Sequence, residues 1–170
     1  YSSEDSRSFL EKKLSKFLSY FSSYDGVHFL MIAKKQYIND HIFAFFPLFP
    51  TLISGMAKIL SFLFPTNSEF LPYMISGFII SNLLCFINCI LLYSLIYKLI
   101  NCELRAKICV LLYLINPGTI FYIAIYSENI YFTLELIFIH YLIKSGEEKS
   151  KQLIENTPYG NKVTPRKNYF

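Results

Sequence analysis

Residues 70–97 contain no Asp, Glu, Lys, Arg or His, and residues 108–127 contain none either. A helix of about 20 such residues crosses the hydrocarbon layer of a bilayer, so both stretches qualify as membrane spans. Composition agrees. Hydrophobic residues make up 54% of the chain and charged residues 16%, against about 25% charged in ordinary globular domains. The apolar excess has to be buried, and lipid is the simplest host. The net charge of +4 over 170 residues is spread along loops and ends, with no basic block alternating with aromatics, which argues against nucleic acid as a partner.

Around these runs the chain divides into three parts. Residues 1–64 read as a loop region with amphipathic helices, 65–144 as transmembrane helices at about 70–97, 108–127 and 129–144, and 145–170 as a polar, disordered tail. Near the start, Phe9, Leu10, Leu14, Phe17, Leu18 and Phe21 recur at helical spacing, interleaved with Arg7, Glu11, Lys12, Lys13 and Lys16. Such a helix is too charged to span. It suits a membrane surface, or alternatively a groove on a partner. Ser22 and Ser23 end it, leaving residues 24–41 as a polar loop with one helical turn around 28–35.

Residues 42–64 are long enough to cross, but Pro47 and Pro50 interrupt the first half and Lys58 sits in the second. The preferred reading is a second surface helix, with a span as the alternative. Orientation follows from the connection at 98–107, which carries Lys98, Arg105 and Lys107, whereas 64–71 carries no basic residue. The basic connection should be cytoplasmic, so the 70–97 helix runs inward and the 24–41 loop stays on the luminal or outer side. The 108–127 segment returns outward with a kink at Asn116-Pro117-Gly118, and the last apolar stretch, carrying Glu135 and His140, stops at Lys144.

Candidate chemistry gathers on that outer side. Asp25 and Asp40 lie in the loop, and Glu128 arrives at the same level from the end of the kinked segment. A carboxylate beside apolar rings has its pKa raised by desolvation, which makes it a better proton acceptor. The plainer readings stand beside this one. Asp25 before Gly26 could form a turn, Asp40 could start the following helix, His41 could be a satisfied interfacial histidine, and His28 could be half-buried and hydrogen-bonded. Glu128 could be merely solvated, and Glu135, seven residues further on, should be protonated or paired inside the bundle. Cys85, Cys89, Cys102 and Cys109 include no CxxC pair and no His at ligand spacing, so neither a metal nor a redox role is expected. The polar opening YSSEDSRSF, without a methionine, carries no signal peptide and reads as the start of an excerpt.

The stretch YDGVHFLMIAKKQYINDHIFAFFPLFP, at 24–50, resembles the signature of the PIG-V family of GPI mannosyltransferases. Its members show Trp-Asp, His-Phe, Ile-Ala, Gly-Tyr, Glu-His and Ala-Phe-Phe-Pro in that order. The counterparts here are Tyr24-Asp25, His28-Phe29, Ile32-Ala33, Gln36-Tyr37, Asp40-His41 and Ala44-Phe45-Phe46-Pro47, with Tyr24, Gln36 and Asp40 departing from the usual residues. A second block, Asn116-Pro117 followed by Tyr126-Ser127-Glu128, is similar to the family's proline break and Tyr-Ser-Glu. The similarity runs over residues 9–142, roughly the N-terminal third of a full-length member.

The resemblance implies an all-α, GT-C-type polytopic membrane glycosyltransferase of the endoplasmic reticulum, with amphipathic interfacial helices in a luminal loop followed by about three transmembrane helices. It would transfer mannose from dolichyl-phosphate-mannose, α-1,6, as the second mannose of the GPI precursor on the luminal side. On that basis Asp25 is the expected catalytic base, while Asp40, His41 and Glu128, and less centrally His28, are expected to bind substrate. No cofactor or metal is implied; the partners are the GPI precursor, dolichyl-phosphate-mannose, membrane lipid and a further membrane subunit. The rival readings are a non-catalytic membrane subunit, or inactive fragment of such an enzyme, and a transporter in which Glu128, Glu135 and His140 line a proton path.

Overall fold

The computed structural model describes residues 2–37, 44–66 and 68–155, with side chains over 9–152 of those ranges. Among the described residues there are seven helices and no strand: α1 Ser2–Phe21, α2 Asp25–Lys35, α3 Leu48–Leu63, α4 Leu71–Ile100, α5 Glu103–Ile115, α6 Thr119–Ile123 and α7 Glu128–Glu155. The all-helical class expected from the sequence is the one observed. Helix α4 packs against each of the other six and is the axis of the fold.

Helix α4 has 30 residues, a length of about 45 Å at 1.5 Å per residue. Pro72 is tolerated in its first turn, where an amide would lack an intrahelical partner in any case. Asn101, in a left-handed conformation at φ 52° and ψ 35°, ends it. Among the described residues α4 is the one helix long and apolar enough to cross a membrane. Its outer side stays open, with Leu83, Phe86 and Ile90 all exposed.

The stretch at 108–127 folds as two pieces rather than one kinked rod. Pro117 cannot donate a backbone hydrogen bond and drives Asn116 out of the helical region, to ψ 136°. The Asn116 side chain accepts the Gly118 amide at 2.9 Å, and the Thr119 hydroxyl turns back to the carbonyls of Tyr113 and Leu114, at 3.1 and 2.9 Å. Those are carbonyls at the end of α5, so Thr119 caps the break that proline makes.

Three expectations are corrected. Residues 25–35 form the full helix α2 instead of one turn in a polar loop, because Phe29, Leu30, Ile32 and Ala33 bury a face against α3 and α4. Pro47 and Pro50 do not break a helix in its middle: Pro47 is the residue before α3, and Pro50 falls in its first turn. Helix α7 does not stop at Lys144 but continues to Glu155. The Lys98–Glu147 ion pair at 3.0 Å ties the continuation to the last turn of α4, and Glu, Lys and Gln sustain the helix by propensity. Helix α1 keeps the expected amphipathic form. Its end is closed by the hydroxyls of Ser22 and Ser23, which donate to the carbonyls of Ser19 and Tyr20.

The core lies where α1, α2, α3 and the start of α4 meet, around Leu18, Phe29, Phe49, Ile53 and Leu71. Ile125, from the link between α6 and α7, completes it with no exposed surface.

Candidate functional site

Ile125 fastens the two sequence blocks to one another. Its amide donates to the Phe21 carbonyl at 2.8 Å. A Cβ on Gly77 of α4 would lie 2.8 Å from its Cγ2, and a Cβ on Gly26 of α2 would lie 3.1 Å from its carbonyl oxygen. Gly26 therefore permits close approach of backbone to backbone inside a helix. The Asp-Gly turn considered for Asp25 does not occur; Asp25 is the first residue of α2. One residue beyond Ile125, the Tyr126 hydroxyl donates to the Ser23 carbonyl at 3.0 Å. Tyr24-Asp25 and Tyr126-Ser127-Glu128 are thus joined across a gap of about 100 positions.

Tyr24 marks the junction. It has φ 52° and ψ −119°, a conformation unfavourable for a side chain with a Cβ, and its ring is 86% exposed. Such strain persists where surrounding contacts over-determine it, and here the bonds to Phe21 and Ser23 precede it on the chain and the close approach of Gly26 to Ile125 follows it. The result is a fixed entry into α2 that sets Asp25, exposed, beside the 125–128 segment.

Glu128 opens α7 and lines a cleft of about 360 Å³ with Tyr122, Ser127, Tyr131, Phe132 and Glu135. Desolvation at this cleft holds the Glu128 carboxyl above the ordinary carboxylate range; its own backbone amide opposes the shift, and the negative charge of Asp25 adds to it. The two acids are close enough for one to act on the other. Tyr122 and Phe132 belong to a ring stack centred on Tyr113, with centroid distances of 4.8 and 5.3 Å. Aromatic faces beside carboxylates suit a polyhydroxylated ligand, since the faces cover C–H groups while the oxygens accept from hydroxyls.

The start of α7 is held by a polar seam that the sequence reading missed. Asn88 and Asn129 have no exposed surface, and Thr133 has 8%. Asn88 Nδ2 donates to the Asn129 carbonyl at 3.1 Å, and Asn129 Nδ2 donates to the carbonyls of Ser81, at 2.8 Å, and Tyr122. The Thr133 hydroxyl lies 2.7 Å from both Asn88 Oδ1 and the Asn129 carbonyl. Helices α4, α6 and α7 are locked at the residue next to Glu128. The available signal was two asparagines inside otherwise apolar stretches.

The remaining candidates are distributed as follows. His28, exposed and one turn beyond Asp25, stacks on Phe45 at 5.1 Å and 24°, while Phe45 meets Phe29 edge-on at 5.1 Å. The His-Phe and Ala-Phe-Phe-Pro blocks are therefore in contact. Asp40 and His41 lie outside the described residues. Glu135 is not enclosed in the bundle as expected; it is exposed and shares the cleft with Glu128. His140 Nδ1 lies 2.8 Å from the Leu136 carbonyl of its own helix. Among the described residues no group of three or more His, Cys, Asp or Glu side chains converges.

A family model described as Mannosyltransferase (PIG-V) matches residues 2–157. The chain is 31% identical to the rat GPI alpha-1,6-mannosyltransferase 2 over 110 residues, covering 65% of this chain and 22% of that protein. It is 27% identical over 130 residues to the Drosophila melanogaster GPI mannosyltransferase 2, covering 76% of this chain and 29% of that protein. With the Caenorhabditis elegans GPI mannosyltransferase pigv-1 the identity is 29% over 122 residues, covering 66% and 18%. The chain thus spans less than a third of the length of these relatives. No solved structure matches it.

Proposed function

The chain belongs to the PIG-V mannosyltransferase family, and from that premise we propose that it carries the acid-bearing part of a GPI mannosyltransferase of the endoplasmic reticulum membrane. The reaction is transfer of mannose from dolichyl-phosphate-mannose to the GPI precursor, as the second, α-1,6-linked mannose, on the luminal side. The observation that supports this reading is the junction of Tyr24-Asp25 with Tyr126-Ser127-Glu128 beside a cleft lined by rings and carboxylates. The membrane arrangement keeps three crossings: α4, the broken pair α5 and α6, and the apolar part of α7, with α1 and α3 at the luminal surface. Helix α3 is only 16 residues long, about 24 Å, which favours the surface over a crossing.

In this scheme Asp25 takes the proton of the acceptor's 6-hydroxyl as that oxygen attacks the anomeric carbon of the donor mannose. The bond from that carbon to the phosphate oxygen breaks, and dolichyl phosphate leaves with the electron pair. Glu128 accepts hydrogen bonds from sugar hydroxyls, and its position against Asp25 fixes the hydroxyl that is deprotonated. His28, one turn into α2, and Asp40 and His41 also bind substrate. No cofactor enters the scheme; the lipid-linked donor supplies the activated sugar.

Replacing a general base typically costs about 10² to 10⁴ in rate, so Asp25→Asn is expected to abolish rescue of cells that lack the second GPI mannose. Full rescue would remove Asp25 from the mechanism. A glycosylation reporter inserted at 37–40 should be modified in the lumen, and a reporter left unmodified and facing the cytosol would overturn the topology.

A further inference from the structure

A second cleft, of about 600 Å³, opens between α2 and α3, with Ile32 and Pro50 among its apolar walls and Gln36, Tyr37, Thr51 and Lys58 among its polar groups. Lys58 is its only charged lining residue and has no carboxylate partner among the described residues. Gly55, at the centre of the lining, has no atom of another described element within 4 Å of the place its Cβ would occupy, so among the described residues the cleft is open there. Immediately beside it, Leu48, Leu52, Ile59 and Phe62 form an exposed apolar stripe at helical spacing along α3. A cation without a carboxylate partner among the described residues, at the edge of an exposed apolar stripe on a short helix that the proposed arrangement lays at the membrane surface, suits an anionic lipid headgroup.

The position of the cleft selects which lipid. Asp25 begins α2 and Gln36 follows its end, 11 positions on, which is roughly 16 Å along the helix. The phosphate of a lipid-linked sugar donor is bonded to the reacting carbon, so it must lie in the immediate neighbourhood of the base. A glycosylphosphatidylinositol acceptor is different: its phosphodiester is separated from the reacting hydroxyl by the first mannose, the rest of the glycan and the inositol ring. We infer that the α2–α3 cleft binds the phosphodiester headgroup of the acceptor glycolipid, with Lys58 as its cation and the acyl chains laid along the α3 stripe. This rests on the mannosyltransferase reading. It adds a remote anchor whose binding energy holds the glycan while its far end reacts at Asp25.

The test is photolabelling of the full chain, expressed in membranes, with a photoreactive diacyl phosphatidylinositol. Loss of a charge-assisted hydrogen bond corresponds to about tenfold or more in affinity, so Lys58→Gln should reduce labelling by that factor and Lys58→Arg should retain it. Gly55→Phe should fill the open space and reduce labelling equally without lowering the thermal midpoint. Dioctanoyl phosphatidylinositol should compete, whereas farnesyl phosphate and inorganic phosphate should not. Asp25→Asn should label like the parent chain, so failure of the base assignment and failure of this site give different results. Undiminished labelling of both Lys58→Gln and Gly55→Phe would overturn the proposal. So would better competition by farnesyl phosphate, which would assign the cleft to the donor, or equal competition by inorganic phosphate, which would make it a bare anion site.

Discussion

The seam between α4 and α7 and the outer face of α5 are built in opposite ways. At the seam, Asn88, Asn129 and Thr133 are buried and bonded to one another, while Leu104, Leu112 and Ile115 on α5 are 64–74% exposed. A soluble protein arranges these classes the other way round. In lipid, apolar surface gains nothing by leaving its surroundings, so an outer Leu specifies little, whereas an interhelical hydrogen bond fixes both partner and register. The register that matters is that of Glu128, because the amide holding the seam belongs to the next residue. On the membrane arrangement proposed above, the chain places its directional bonds beside Glu128 and leaves the outer face of α5 to lipid.

That contrast can be broken at its tightest point first. Gly77→Val puts new atoms into Ile125, whose Cγ2 already lies 2.8 Å from the site of the Cβ, and overpacking of this kind costs about 1–3 kcal/mol. The thermal midpoint in detergent should fall further for this variant than for any other named here. A chain that unfolds at the parent temperature would show that Ile125 is not wedged between α2 and α4.

Asn129→Leu comes next. It removes the side-chain donor to the buried carbonyls of Ser81 and Tyr122, and an unsatisfied buried group costs about 1–3 kcal/mol. Replacing Asn88 and Thr133 by apolar residues together should cost less than the sum of the two single changes, because Thr133→Val alone leaves Asn88 Oδ1 without the donor that the double change no longer needs. Strict additivity of these two changes would deny that Asn88 and Thr133 are coupled.

By contrast, Leu112→Ala on the open face of α5 should stay within about 0.5 kcal/mol of the parent chain. A large loss there would mean that this face is packed against something in the membrane.

The smallest effect concerns protons. Because the folded chain holds the Glu128 carboxyl above its ordinary value of 4.5, it favours the protonated form. That contribution to stability is complete below the ordinary carboxylate pKa and is lost as pH rises through the raised one. Glu128→Gln should flatten this dependence in pH-resolved unfolding, and a parent chain with the opposite slope would contradict the assignment.

Much of this architecture was legible because its causes are local. The uncharged run of α4, the 3–4 spacing of apolar residues in α1, and the Pro117 break each depend on a few neighbouring residues. What escaped depends on contacts made across the chain. Helix α2 has only 11 residues, short for a helix that must form by itself, and exists because Phe29 and Ile32 find α3 and α4. The extension of α7 is tied down by Lys98, 49 positions before Glu147. Gly26 suggested a turn by its pairing with Asp25, since nothing nearby reveals a carbonyl arriving from Ile125. Within the candidate site, Asp25 and Glu128 could be named from the sequence, but their mutual electrostatic effect required the fold. Glu135 drew attention as a buried acid, whereas its place is in the Glu128 cleft.

The central claim is that the start of α2, which carries Asp25, is seated on the segment leading to Glu128. An ideal Cβ on Gly26 would lie 3.8 Å from Ile125 Cβ, which is about the mean separation in disulfides. With Cys85, Cys89, Cys102 and Cys109 changed to Ala, the Gly26→Cys and Ile125→Cys pair should oxidise in membranes, and mass spectrometry should recover the two peptides linked. Two free thiols under the same oxidation, in a chain that still unfolds cooperatively, would contradict the account.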